Sequence, residues 1–165
     1  MAQIKLQADG LNLADTFAFS GTVTGAGGGK VLQVVQTVLT SDTSTTSTSY
    51  VAIPSLELNI TPSATSSKIL IMCDFSTEVH DGTGIGYYTL YKDDSTNLGE
   101  STYGFGLQSA IGGVNRGFGT ICYLDSPSST SSINYQVYQK STSGYTTKVA
   151  GGNAYCSITA LEIGA

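Results

Sequence analysis

From Lys30 onward, apolar and polar residues alternate in short runs. In 69–79, Ile69, Ile71, Cys73, Phe75 and Val79 fall on one face and Asp74, Ser76 and Glu78 on the other, the period of two that marks a half-buried strand. Leu56, Leu58 and Ile60 alternate with Glu57 and Asn59 in the same way, as do Ile133, Tyr135 and Val137 with Asn134, Gln136 and Lys140. The pattern predicts strands over 31–40, 50–60, 68–79, 86–92, 117–124, 132–140 and 154–163, with a weaker one near 101–108. No window holds the 3.6-residue period of an amphipathic helix, and no internal repeat of roughly 20–50 residues is visible. Short strands at near-regular spacing predict an all-β fold, an antiparallel β-sandwich of jelly-roll type, over 30–165.

The connections divide the chain further. Polar, low-complexity 41–49 and Pro127-containing 125–132 are expected to be exposed loops. Segment 93–116 interleaves glycine with rings in Tyr103-Gly104-Phe105-Gly106, which fits either a bend or a loop displaying aromatics. Residues 1–29 stand apart as an extended N-terminal arm and hinge. Ile4, Leu6, Leu11, Leu13, Phe17 and Phe19 are too few for a core of their own, and five glycines among positions 21–29 loosen the backbone. Such an arm needs apolar surface on its own body, a sister chain or another protein; the alternative is a first hairpin folded back on the domain.

Composition agrees with β structure. Of 165 residues, 21 are Ser and 22 Thr, charged residues make up 12%, and there are ten Tyr and no Trp. Seven basic against twelve acidic residues leave a net charge of −5, and Arg116 is the sole arginine. That balance argues against a nucleic-acid surface, which needs cations to neutralise phosphates. Nothing approaches the ~20 apolar residues of a membrane span, and the opening Ile4-Lys5-Leu6 is not a secretory signal. Cys73, Cys122 and Cys156 each sit in an apolar run, so they are expected to be buried free thiols of a chain folded in a reducing cytoplasm.

Candidate chemistry is sparse. Thr24-Gly25-Ala26-Gly27-Gly28-Gly29-Lys30-Val31 has Thr24 and Val31 where a phosphate loop needs Gly and Ser or Thr, and it precedes a strand, so it reads as a linker. His80 is the only histidine, and Asp81 beside it on a strand would face the other way, so no Ser-His-Asp relay is expected. Glu78, Asp81, Asp93, Asp94 and Glu100 sit in polar turn contexts, with no apolar pocket to raise a carboxyl pKa for glycoside hydrolysis. Asp81-Gly82-Thr83-Gly84 and Asp93-Asp94-Ser95 have oxygens for calcium but not the spacing of an EF-hand. No catalytic, cofactor or metal site is expected. The tyrosines suit a subunit interface, a core rim or a glycan surface, and Tyr87, Tyr88, Tyr103 and Phe105 are candidates for an interface or receptor loop within 86–124.

Three stretches carry a family resemblance: Gly27-Gly28-Gly29-Lys30-Val31-Leu32-Gln33-Val34-Val35-Gln36; Leu58-Asn59-Ile60-Thr61-Pro62 with Ser66-Ser67-Lys68-Ile69-Leu70-Ile71; and Ser157-Ile158-Thr159-Ala160-Leu161-Glu162-Ile163. With Ile4-Lys5-Leu6 and Leu11-Asn12-Leu13-Ala14-Asp15, they resemble the virion surface proteins of tailed bacteriophages of aquatic bacteria, described as tail-fibre or virion structural proteins. These are strand and turn patterns, not a functional residue set. The resemblance implies a homotrimeric sandwich on the virion surface, made in the host cytoplasm and touching other virion proteins of capsid or tail. Two roles follow: capsid decoration (cement) or head fibre, clamping neighbours through the arm, or a short tail fibre recognising a host surface glycan. A depolymerase is a third class. The chain departs from long fibres in lacking an extended shaft.

Overall fold

The computed structural model describes residues 29–80, 82–150 and 154–164. The arm residues Ile4, Leu6, Leu11, Leu13, Phe17 and Phe19, and also Asp81, lie outside the described residues. Among the described residues, eleven strands form two antiparallel sheets: β1 Val31–Leu39, β2 Asp42–Thr45, β3 Val51–Ile60, β4 Lys68–His80, β5 Ile85–Lys92, β6 Thr96–Asn97, β7 Gly106–Ser109, β8 Asn115–Asp125, β9 Ile133–Ser141, β10 Thr146–Ala150 and β11 Cys156–Ile163.

The all-β sandwich is what alternation predicted, and the pairing is that of a jelly roll. With short β2, β6 and β10 set aside, one sheet runs β1-β11-β4-β8 and the other β3-β9-β5-β7, the two-sheet, eight-strand arrangement of that fold. β4 is long enough to pair with β11 through 68–74 and with β10 through 77–80 along one edge, while β8 follows its other edge. Between the sheets lie Ile53, Leu56, Ile69, Ile71, Phe75, Leu90, Tyr135, Val137 and Ile158, all buried. Inward positions of β4 match the sequence expectation, Ile69, Ile71 and Cys73 being fully buried.

Four expectations need correction. Segment 41–49 is not wholly loop, because Asp42–Thr45 forms β2 against β10, with Thr43 opposite Val149. The Ser and Thr run of β2 lacks an apolar alternation to announce a strand, yet Thr is well suited to strands. Segment 93–116 is more than a bend or loop: it contains β6, which was not expected, and β7, which overlaps the weaker strand expected near 101–108. Cys73 and Cys156 are buried, but Cys122 is exposed; it stands opposite Met72 in the ladder, on the outer face with Thr120 and Leu124. On β9, Gln136, placed on the polar face by alternation, is buried, since β9 is an interior strand between β3 and β5. Gln136 Nε2 donates to the Ile53 carbonyl at 3.1 Å.

Candidate functional site

Two surfaces carry the candidate residues. The first is the open edge of the sandwich, where β7 and β8 end the two sheets. Inward positions of β8 opposite Thr77 and Phe75 are Gly117 and Gly119. A Cβ on Gly119 would stand 2.6 Å from Phe75 Cζ, and one on Gly117 would stand 3.0 Å from Gln108 Oε1, so the missing side chains let Phe75 and Gln108 lie against the strand. The sheets therefore part here around a cavity of about 190 Å³ lined by Phe75, Thr77, Tyr88, Phe105, Gln108 and Ile121, among others. That is enough for one ring, a cavity of ~150 Å³ being able to hold benzene.

Polar groups in this edge are placed by hydrogen bonds. Thr77 Oγ1 donates to Gln108 Oε1, while Gln108 Nε2 donates to the Asn115 carbonyl at 3.3 Å. Tyr88 and Thr147 join hydroxyls at 2.8 Å. Burial pushes the Tyr88 pKa up to about 12, so this hydroxyl stays neutral. Rings wall the space, with Phe75 and Tyr88 centroids 5.2 Å apart and Phe105 edge-on to Tyr123 at 5.6 Å.

The mouth of the cavity, where Leu107 and Phe118 line it, and the edge beyond it are apolar. Phe118 is 89% exposed and Ile111 86%, with Leu107, Val114 and Leu124 also exposed. Across 106–124 the only charged residue is Arg116, and its Nε donates to Glu78 Oε1 at 2.8 Å. The Arg116 hydrogen bond first, with His80 and Lys148 adding to it, lowers the Glu78 pKa against the effect of burial. His80 closes β4 with Nε2 3.1 Å from Glu78 Oε2.

The second surface is the outer face of the other sheet. Tyr87 of β5 lies 6.0 Å from Tyr103, Tyr91 stacks on Tyr138 at 4.1 Å, and Tyr50 sits 6.4 Å from Tyr91. Lys140 Nζ links the two groups, 4.4 Å from the Tyr50 ring centre and 5.2 Å from that of Tyr87, within cation–π range. Five rings, two from β5, one from β9 and Tyr50 and Tyr103 from loops, thus make one strip around a lysine.

The four sequence candidates therefore separate. Tyr87 and Tyr103 meet in the strip, and Phe105 lines the cavity. Tyr88 is a correction: it is 4% exposed, a core residue of β5 and not a loop ring, because adjacent residues of a strand face opposite ways. Tyr50 was not singled out from the sequence; it is 37 positions from Tyr87, and only the fold joins them. The acidic turn residues have internal partners, Asp93 accepting from the Asn134 backbone N–H at 3.0 Å and Asp94 from the Tyr138 hydroxyl at 3.2 Å. Among the described residues no group of His, Cys, Asp and Glu is arranged to hold a metal ion, and no helix is long and apolar enough to cross a membrane. The chain matches no protein-family model and no curated protein sequence.

Proposed function

We propose that the chain is a non-enzymatic structural protein of a tailed-phage virion, a homotrimer that decorates the capsid as a cement or head-fibre protein and clamps neighbouring subunits through residues 1–29. The observation that carries this reading is the β7–β8 edge: a low-charge, apolar rim on an otherwise well-packed sandwich is a surface made to be covered. The jelly roll, which recurs in capsid and lectin domains, adds an analogy of fold. Removing residues 2–28 tests the clamp. All eleven strands among the described residues begin at Val31 or later, so the shortened chain is expected to fold and to be missing from assembled particles. Its normal incorporation would overturn the clamp.

The tyrosine strip favours a second reading, a short tail fibre that recognises a host surface glycan. Flat rings offer sugar C–H faces an apolar platform, and Lys140 with the phenol hydroxyls supplies hydrogen-bond donors. Saturable binding of the full chain to host envelope, lost in Tyr87→Ala and Tyr103→Ala and kept in Phe118→Ser, would establish the fibre reading. Copy number in purified virions separates the roles: parity with capsid subunits marks a decoration protein, and parity with a tail appendage marks a fibre.

A further inference from the structure

Every sheet has ends, and a strand with unpaired N–H and C=O groups invites another chain unless it is short, bulged, charged or broken by proline. Here the described edges differ sharply. β3 carries Pro54 and a register shift between Ala52 and Glu57, with Ser55 at a positive φ of 65°. β1 has a register shift between Val31 and Gln33. β2, β6 and β7 have four, two and four residues. β8 has no such interruption: eleven residues pair with β4 without a break, no proline or lysine occurs in it, and its two charges, Arg116 and Asp125, are matched within the chain by Glu78 and Lys92.

We propose that the β7–β8 edge is where copies of this chain meet, with the free side of β8 and the apolar rim of Leu107, Ile111, Val114, Phe118 and Leu124 buried against the same edge of a neighbour. This rests on the homo-oligomer of the preceding reading and gives it a surface. Charge favours a second copy here. Chains of net charge −5 repel over most of their surfaces, whereas this edge is neutral. Area agrees: five exposed side chains offer on the order of 500 Å² of apolar surface, and the polar atoms of the strand edge bring the patch near the ~800 Å² per partner of a specific interface. Depletion of charge with an aromatic at the centre is also the composition of an interface core.

The test uses the full chain and its Phe118→Ser variant. Phe118 lies outside the core, so the variant is expected to keep its fold, checked by circular dichroism and melting temperature; Ile111→Ser serves as a second, independent variant. Native mass spectrometry over a concentration series should show a wild-type oligomer whose dissociation constant rises about thirtyfold or more in Phe118→Ser, the effect of truncating an aromatic hot spot. Hydrogen exchange should find the outward amides of β8 slow in the wild type and fast in the variant, with those of β11 unchanged. A dimer dissolved by the substitution supports this edge and overturns the trimer. A trimer indifferent to both substitutions overturns the edge and leaves the virion reading standing. A monomeric wild type overturns both, and slow β8 exchange in that monomer would mean that the chain covers the edge itself.

Discussion

Phe75 lies against the bare backbone of Gly119, its Cζ 2.6 Å from where a Cβ would stand. Because the two residues are paired neighbours on β4 and β8, the absence of one side chain sets the position of the other and with it the opening between the sheets. A methyl at 119 would drive the buried Phe75 ring into the cavity. Gly119→Ala is therefore expected to lower stability by about 1–3 kcal/mol, the usual cost of overpacking, and to close the space. An unchanged denaturant midpoint would show that the ring is not held there.

Glu162 gives the fold an acid limit. It is 1% exposed, and its Oε1 accepts from the Ser63 backbone N–H at 2.7 Å and the Ser63 hydroxyl at 2.6 Å, while Oε2 accepts from Gln33 Nε2 at 2.6 Å. Burial raises its pKa, but the bonds from Ser63 and Gln33 outweigh it and hold the value down to about 2 from 4.5. A depressed carboxyl contributes stability that is fully present above about 4.5 and fades as pH falls through about 2. Glu162→Gln should cost about 2 kcal/mol at neutral pH, the scale of hydrogen bonds to a charged group. The gap between wild type and variant should narrow steadily in urea melts from pH 5 down to about pH 2. A constant gap would mean that the carboxylate charge is not what Ser63 and Gln33 bind.

Salt provides a separate check on the assembly. In the proposed oligomer, with charged residues at 12%, burial of apolar and tyrosine surface is expected to supply most of the association, at ~25 cal/mol per Å². Exposed ion pairs add only ~0–1 kcal/mol each and are screened. Light scattering should report the same oligomer at low ionic strength and in molar sodium chloride. Dissociation to monomers in salt would shift the weight to charges meeting across subunits, with Lys92, Arg116 and the acidic loops as the candidates.

Much of the sandwich was legible because a strand with one wet and one dry face must write a period of two into its sequence. Lys68–His80 and Cys156–Ile163 read almost residue for residue. β2 did not, since a run of Ser and Thr carries no contrast between faces, nor did β10, whose five residues are too few to write an alternation, and Cys122 was misread because an apolar run says nothing about which of its residues look outward. Gln136 and Gln139 look like surface residues in a list, yet β9 runs inside a sheet and its neighbours bury them. The sequence by itself determined the all-β class and the inward set of β4, both local consequences of side-chain alternation. Only the tertiary structure decided that β8 is an edge among the described strands, that Tyr50 meets Tyr87, Tyr91 and Tyr138 around Lys140, and that two glycines open a space over Phe75. These are relations between strands distant in the chain, fixed by pairing order and sheet packing, and no local pattern records which neighbour a strand will lack.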